Sequence, residues 1–432
     1  MKKELFIKNT LILSASSLVI RSVGMIFSVQ AATVMGAELL GRYRLVVSIY
    51  AFFLLLGTSG ISVTVTRLAG DFMAKGEPAR ASFIRSRSVW FAFAAGWALC
   101  IMMLLTSRLL PQRLFGEGAA GAMRILSFSL PFAGFSAALR GYFTACRKVL
   151  RTAAEQLLEQ LCEIAVFFFT IDRFSHLGLS PLFCAAIATA AAEVISFFYC
   201  LMLLAIDRRH TPPPETVSGT LRLAMPIAAP CTASAGLRSA LSAIENSLIP
   251  TGLMLCGADR AKALADYGII SGMALPCVLF PSVLILPLSQ LIVTELSGEK
   301  ALGHRKSIHH IAVRMLRITI LYSVIMMLPF LFFSQQIASA LGFAQESAFY
   351  MRVLAPLIPL SYLDSAADGM LKGLDCQKSY FEINMIESIL RVLMALTLIP
   401  LMGAAGVILI ILLGELVNVT LSLWKLLSVI RL

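Results

Sequence analysis

Long apolar stretches follow one another along this whole sequence, and its polar residues are gathered in the short segments between them. Stretches of about 20 apolar residues recur, and at 1.5 Å per helical residue each can cross a hydrocarbon layer of about 30 Å. The pattern predicts an all-α, polytopic membrane protein. Its twelve predicted transmembrane helices cover 6–34, 45–70, 88–110, 120–145, 153–172, 181–206, 220–249, 264–292, 309–333, 346–371, 379–402 and 405–430.

The composition supports a chain that folds in lipid. Hydrophobic residues make up 58% of the 432 residues and charged residues only 14%. A water-soluble domain cannot bury so much apolar surface. The N-terminus imitates a secretory signal, but Arg21 interrupts its apolar part and the stretch from Phe6 to Val34 is too long for one. We therefore expect a retained first helix.

The formal net charge of +12 is explained by membrane topology rather than by nucleic-acid binding, because Lys and Arg lie mostly between the apolar stretches. With a cytoplasmic N-terminus, about two thirds of the 36 Lys and Arg residues fall on the cytoplasmic side. We therefore expect a multi-pass protein of the cytoplasmic membrane with both termini in the cytoplasm. The nine cysteines form no CxxC pair, so no metal site is expected.

The chain is predicted to consist of two halves, 1–210 and 211–432, joined by the polar and proline-rich connector Asp207–Glu215. Because six spans is an even number, both halves enter the membrane from the same side, as in transporters with paired lobes and a cleft. We expect two pseudo-symmetric six-helix lobes around a central cavity. Two pairs of segments match at one constant separation, here called the repeat offset: Val65–Asp71 with Val293–Glu299, and Arg124–Gly141 with Arg352–Gly369.

Arg21 and Arg238 are the candidate substrate-binding cations. Each lies about midway along the first predicted span of its half, where a charged side chain costs at least about 2.5 to 3.5 kcal/mol. Both should therefore face protein or water, and the repeat would place them on opposite walls of one cleft. Planar guanidinium groups suit a phosphate or diphosphate, to which they donate paired, charged hydrogen bonds. The alternative is structural, with each arginine tying helices together through a buried carboxylate.

Two polar neighbours of Arg238 complete the predicted substrate-binding set. Glu245 follows Arg238 by seven residues, about two helical turns, and Asn246 lies beside it. Glu245 could balance Arg238 or bind a coupling cation. Glu387 and Arg391, by contrast, have the i,i+4 spacing of a helical ion pair and are predicted to be structural.

Other intramembrane acids are candidates for ion coupling, namely Glu163, Asp364 and Asp368. Glu155, in the same predicted span as Glu163, is better explained by a solvated face near the cytoplasmic end. No Walker A sequence is present, so transport would be driven by Na⁺, H⁺, the membrane potential or the substrate's own gradient. No cofactor is expected, and no arrangement of nucleophile, base and oxyanion donors indicates an enzyme.

Interior prolines mark the seventh and eighth predicted spans as bending elements. Each removes one backbone hydrogen bond and bends its helix. The alternative is a static kink that only shapes a cavity. These candidate hinge residues are Pro226, Pro230, Pro276, Pro281 and Pro287.

Several segments, taken together, resemble the polysaccharide-transporter branch of the multidrug/oligosaccharidyl-lipid/polysaccharide exporter superfamily. They are Asn9–Leu13, Arg21–Gly24, Gly36–Tyr43, Gly60–Val63 and Tyr267–Pro276. The resemblance covers nearly the whole chain. It implies two six-helix lobes that alternate between inward and outward openings, and transport of undecaprenyl-diphosphate-linked sugars or peptidoglycan precursor. Such flippases use cavity arginines for the diphosphate, a role that the resemblance gives to Arg21 and less directly to Arg238.

Residues and resemblance together predict a lipid-linked glycan flippase in which Arg21 and Arg238 hold the diphosphate. The expected partners are the lipid-linked glycan and membrane lipids, with enzymes of envelope synthesis as further candidates and no nucleic acid. One alternative is a cation-coupled multidrug exporter of the same superfamily, using Glu245 or the Asp364 and Asp368 pair, although a cationic cavity would repel cationic drugs. Another is a nonenzymatic scaffold for envelope or spore assembly.

Overall fold

The computed structural model describes residues 2–109, 116, 118–174, 178–217, 219–283 and 285–431. These residues form helices joined by short turns, and no strand occurs among them. Hydrocarbon favours this outcome, since a helix satisfies its backbone hydrogen bonds within one segment. The predicted all-α class is confirmed.

Each of the predicted spans falls on one or more of these helices. In the first half of the chain the helices are α1 (Lys2–Ala74), α2 (Pro78–Leu109), α3 (Ala119–Ser127), α4 (Leu130–Ala145), α5 (Val149–Phe174) and α6 (Pro181–His210). The second half begins with α7 (Thr220–Leu255), α8 (Arg260–Gly268), a π-helical segment (Ile269–Ala274), α9 (Leu275–Leu279) and a 3₁₀ turn (Phe280–Val283). It continues with α10 (Ile285–Ala301), α11 (Arg305–Phe332), α12 (Ser334–Ala340), α13 (Gln345–Leu354), α14 (Leu357–Gly373), α15 (Gln377–Met402) and α16 (Ala404–Arg431).

Helix α1 contains the first two predicted spans, which were expected to be separated by a connector. Gly36 interrupts α1 with a φ of 70° and a ψ of 168°, so two helices meet there at a kink. Glycine adopts a positive φ without the steric cost that a Cβ would add. The predicted spans 6–34 and 45–70 are therefore separated by a kink at Gly36 rather than by a loop.

Several helices are suited to a membrane by length and composition. Among the described residues seven helices are long and apolar enough to cross a membrane, or eight if α3 and α4, which are bent by 44°, make one crossing. Leu18–Ala74 contains 57 residues, although about 20 suffice for one crossing. This segment includes the Gly36 kink between the first two predicted spans, and the chain is a multi-pass membrane protein.

The helix boundaries repeat at the offset found in the sequence. Helix α5 spans residues 149–174 and α15 spans 377–402, so both ends are separated by the repeat offset. The turns before these helices contain Arg147 and Asp375, each with a φ of 58° and again separated by the repeat offset. The two halves of the chain therefore share the same local fold as well as similar sequence segments.

The chain forms two compact units. Unit 1 contains Met1–Ser16 and Leu45–Ala243, and unit 2 contains Ser17–Arg44 and Ile244–Leu432. These ranges differ from the predicted halves, 1–210 and 211–432, because α1 and α7 are each divided between the units. Each unit has its own apolar core, with Tyr142 buried in unit 1 and Met370 buried in unit 2.

Glycine contacts explain why α1 and α7 are divided in this way. In unit 2, a Cβ at Gly41 of α1 would collide with the backbone of Leu264 on α8. In unit 1, a Cβ at Gly60 of α1 would meet the backbone of Ala228 and the side chain of Thr232 on α7. Close backbone packing of this kind requires a small residue at the contact. The part of α1 before Leu45 therefore packs against a helix of the second half of the sequence, and the part of α7 before Ile244 packs against α1 of the first half.

Candidate functional site

Unit 1 contains a half-buried arginine bound to acidic residues on a neighbouring helix. Arg140, near the end of α4, donates to Glu155 at 2.7 Å and to Glu159 at 3.3 Å on α5. The two glutamates are four residues apart and so lie on one face of α5. Ser196 of α6 donates a further hydrogen bond to Glu155 at 2.5 Å. The Glu155 side chain is only 1% exposed, so the prediction of a solvated face for this residue was wrong.

Two further carboxylates belong to this acidic group. Glu163, four residues beyond Glu159, accepts hydrogen bonds from Thr189 at 2.7 Å and from Gln160 at 3.3 Å. Glu193 of α6 is 5% exposed, and its buried Oε2 atom has no hydrogen-bond partner. It is close enough to interact electrostatically with Arg140 and with the glutamates of α5.

We name Glu155, Glu159, Glu163, Glu193 and Arg140 the unit 1 acid cluster. Its members come from three consecutive helices, and three of its four carboxylates, those of Glu155, Glu159 and Glu193, interact electrostatically with its one guanidinium group. Burying an unpaired carboxylate in an apolar medium costs so much that such a group binds a proton or a cation instead. The cluster therefore contains more carboxylates than cations among the described residues, and most of these carboxylates are largely withdrawn from solvent.

Unit 2 contains a comparable arrangement around a different arginine. Arg391 of α15 donates to Glu387 one turn earlier at 2.9 Å and to Glu245 of α7 at 3.0 Å. The predicted Glu387 and Arg391 pair is therefore present. Glu415 of α16 is close enough to Arg391 to interact electrostatically. Glu245 thus obtains a cation from a residue 146 positions away in sequence.

Two aspartates on α14 extend this group. Asp364 interacts electrostatically with Asp368, Glu387 and Glu415, and it accepts a hydrogen bond from Ser422 at 3.3 Å. We name Glu245, Asp364, Asp368, Glu387, Glu415 and Arg391 the unit 2 acid cluster. It brings together three of the predicted candidates, Glu245, Asp364 and Asp368.

The repeat relates the two clusters but exchanges their charges. At the repeat offset, Arg140 corresponds to Asp368 and Glu163 corresponds to Arg391. The arginine thus lies on the fourth helical span of one half and on the fifth of the other. Each acid cluster has one arginine and an excess of carboxylates, although the residues that supply them differ.

The predicted substrate-binding arginines are members of neither cluster. Arg21 is an exposed residue of α1 in unit 2, and Arg238 is an exposed residue of α7 in unit 1. Asn246 accepts a hydrogen bond from the hydroxyl of Tyr267 at 3.1 Å. Within the predicted set, the structure brings Glu245 to Arg391, and the role of Arg21 and Arg238 in binding stays a prediction.

The candidate hinge prolines fall into two groups. Helix α7 runs without a break through Pro226 and Pro230. The eighth predicted span is instead divided into short pieces, with Pro276 in the first turn of α9 and Pro281 in the 3₁₀ turn. Pro287 lies in the first turn of α10. Each proline removes a backbone hydrogen-bond donor, and in the π-helical segment before Pro276 the backbone hydrogen bonds span five residues instead of four. The eighth predicted span is therefore irregular, whereas α7 is continuous.

Comparison with known proteins extends these observations. Residues 6–234 match the family model described as polysaccharide biosynthesis protein, and residues 242–397 match the model MatE. Stage V sporulation protein B of Bacillus subtilis (strain 168) is 21% identical over 424 residues, which cover 96% of this chain and 82% of that protein.

Two solved structures have a similar fold. A multidrug resistance MATE family transporter of the MOP superfamily, in an inward-facing conformation, has a TM-score of 0.78 at 14% identity and covers 96% of this chain and 98% of its own. The lipid II flippase MurJ, in an inward closed conformation, has a TM-score of 0.73 at 14% identity, covering 96% and 87%. At 14% sequence identity, these two similarities show a shared fold.

Proposed function

Because the chain belongs to the polysaccharide biosynthesis protein family, within the multidrug/oligosaccharidyl-lipid/polysaccharide exporter superfamily, we propose that it flips a polyprenyl-diphosphate-linked glycan or peptidoglycan precursor. Its relatives are membrane transporters and flippases. The proposed activity moves the substrate across the cytoplasmic membrane by alternating access, and it makes or breaks no covalent bond.

The observation that carries this proposal is the exposed Arg21 within an apolar helix. An arginine in such a helix costs several kcal/mol unless water, protein or an anion reaches it. A diphosphate offers several oxygens to a guanidinium group, which donates in a fixed planar geometry. Arg238, exposed on α7, offers the same chemistry from unit 1. Each arginine would bind the phosphate part of the substrate and leave the sugar to other contacts.

The two acid clusters support coupling of this movement to a cation. Glu163 and Glu193 in unit 1, and Asp364 and Asp368 in unit 2, are carboxylates in excess of the nearby arginines. Entry of H⁺ or Na⁺ would relieve that excess, and its release on the other side of the membrane would restore it. A gradient of either ion would then drive a conformational cycle.

The same clusters favour a second candidate, a cation-coupled multidrug exporter. The structural similarity to the MATE transporter is consistent with it. The two candidates differ in the charge of their cargo, because an anionic diphosphate requires Arg21, whereas a cationic drug would be repelled by it. A scaffold in envelope assembly would require neither ion coupling nor Arg21.

A translocation assay with variants tests the proposal. The protein is reconstituted into vesicles containing a fluorescent polyprenyl-diphosphate glycan, and lipid that has reached the outer leaflet is measured by chemical quenching. We expect Arg21→Gln and Arg238→Gln each to lower the initial rate by about tenfold or more, the effect of losing a charged hydrogen bond of about 1.5 kcal/mol or more.

The matched control is Arg108→Gln, which removes an exposed arginine from the last turn of α2. It should translocate at the rate of the unmodified protein. Equal rates for all three variants would contradict the role of Arg21 and Arg238. Efflux of a cationic dye without any glycan translocation would favour the multidrug exporter instead.

A further inference from the structure

A second charged cluster lies in unit 1 where the ends of four helices meet. Asp207, in the last turn of α6, accepts hydrogen bonds from three cations. Arg85 of α2 donates to Oδ2 at 2.6 Å, while Lys148, just before α5, and Arg151, in the first turn of α5, donate to Oδ1 at 2.5 and 3.3 Å. Three positive charges therefore surround one carboxylate.

The members of this cluster differ in burial. Arg85 and Asp207 have side-chain exposures of 2% and 0%, so they form a buried pair. Lys148 and Arg151 have exposures of 36% and 31%. Three cations share the single negative charge of Asp207, so positive charge is in excess within the cluster. An ammonium group has three donors and a guanidinium five, so both half-exposed side chains have more donors than Asp207 accepts.

Neighbouring contacts hold this arrangement in place. The Arg85 guanidinium lies 4.9 Å from the ring centre of Tyr142, and that of Arg151 lies 5.3 Å from the ring centre of Phe143. These cation–π contacts limit the positions that the two arginines can adopt. Arg151 and Lys148 also lie at the start of α5, where helix amides add positive potential.

The nearby exposed charges do not neutralise the cluster. Arg147, Arg208 and Arg209 are exposed and adjacent in sequence to its members. Glu77 and Glu215, the acids next to this region, both bind Arg80, at 3.0 and 3.5 Å. The end of unit 1 where α5 begins therefore has an excess of positive charge over the carboxylates around it.

We propose that Lys148 and Arg151, positioned by Asp207 and Arg85, form a binding site for the phosphate of an anionic phospholipid headgroup. The site lies at helix ends, where a membrane helix meets the headgroup layer. Basic pockets between membrane helices bind such headgroups, and each Lys or Arg near an anionic surface strengthens binding. A phosphate diester would accept hydrogen bonds from the remaining donors of both side chains, and its negative charge would offset the excess positive charge of the cluster. This proposal is independent of the transported substrate.

The test measures lipid binding to the full chain. The protein is purified in a neutral detergent, and native mass spectrometry counts bound phosphatidylglycerol against phosphatidylcholine during a titration. For the double variant Lys148→Gln with Arg151→Gln we expect the apparent Kd for phosphatidylglycerol to rise about 30-fold, taking about 1 kcal/mol for each charge and 1.4 kcal/mol for each factor of ten.

The matched control is Lys306→Gln with Lys378→Gln, which removes the same charge from two exposed positions in unit 2. It should leave the Kd for phosphatidylglycerol unchanged. An equal rise in Kd in this control would overturn the proposed site, because it would indicate general electrostatic attraction between the protein and anionic lipid. If the double variant does not fold, Lys148→Gln alone carries the test, because it leaves both Arg85 and Arg151 bound to Asp207. A rise of about fivefold is then expected.

Two further arms distinguish the sources of phosphate. Inorganic diphosphate is titrated against bound phosphatidylglycerol, and a polyprenyl diphosphate is offered in place of the phospholipid. The proposal expects phosphatidylglycerol to bind in their absence and to resist displacement by either at equal concentration. Preferential binding of inorganic diphosphate or of polyprenyl diphosphate would overturn the assignment to a phospholipid.

Discussion

Replacing Arg140 by methionine tests whether the unit 1 acid cluster is held together by one cation. Glu155 accepts hydrogen bonds from Arg140 and Ser196, and its side chain is 1% exposed. Without Arg140, this carboxylate would keep one hydroxyl donor in apolar surroundings. Removing one partner of a buried ion pair costs about 3–5 kcal/mol, and we expect the lower end because Arg140 is itself 23% exposed.

The free energy of unfolding is measured by titrating mixed detergent micelles with SDS and following helical circular dichroism. Arg140→Met should lose about 3 kcal/mol, and adding Glu155→Gln should recover about half, since glutamine still accepts from Ser196 and has no charge. Arg173→Met, which changes an exposed arginine in the last turn of α5, should stay within about 0.5 kcal/mol of the unmodified protein. A double variant no more stable than Arg140→Met alone would refute this reasoning.

Two further predictions follow from the packing and from the acid clusters. Gly41→Ala should lower the free energy of unfolding by about 1–3 kcal/mol, because its Cβ would collide with the backbone of Leu264. A Cβ at Gly70 would meet nothing within 4 Å, so Gly70→Ala should raise the free energy of unfolding by about 0.5–1 kcal/mol. The same SDS titration compares the two variants, and equal effects would contradict the close contact between Gly41 and Leu264. Glu163→Gln should weaken the dependence of transport on an imposed H⁺ or Na⁺ gradient, measured in vesicles, and an undiminished dependence would exclude Glu163 from coupling.

Much of the fold follows from the sequence because lipid restricts the choices of the backbone. A long apolar stretch can only be a helix there, so hydropathy gives the approximate position of each span. The repeat offset between Val65–Asp71 and Val293–Glu299 also gives the relation between α5 and α15. The kink at Gly36 was missed, because a glycine between two apolar stretches is compatible with a loop, a kink or a straight helix.

The pairing of side chains could not be predicted in the same way. Contacts between helices depend on the rotation of each helix about its axis, which hydropathy in apolar segments does not define. Glu245 was expected beside Arg238 because they share a helix, yet its ion pair is with Arg391. Arg140 lies within the predicted span 120–145 but was not singled out as a candidate. Its equivalence in the repeat to Asp368, which was a candidate, was the available signal that it belongs to a cluster.

The most direct test of the proposed function compares two cargoes in the same vesicles. The unmodified protein is reconstituted with a fluorescent polyprenyl-diphosphate glycan and, separately, with a cationic dye, under an imposed ion gradient. Translocation of the glycan lipid above the rate in protein-free vesicles, without dye transport, is the predicted result. Gradient-driven dye transport with glycan lipid at the protein-free rate would contradict the proposed function.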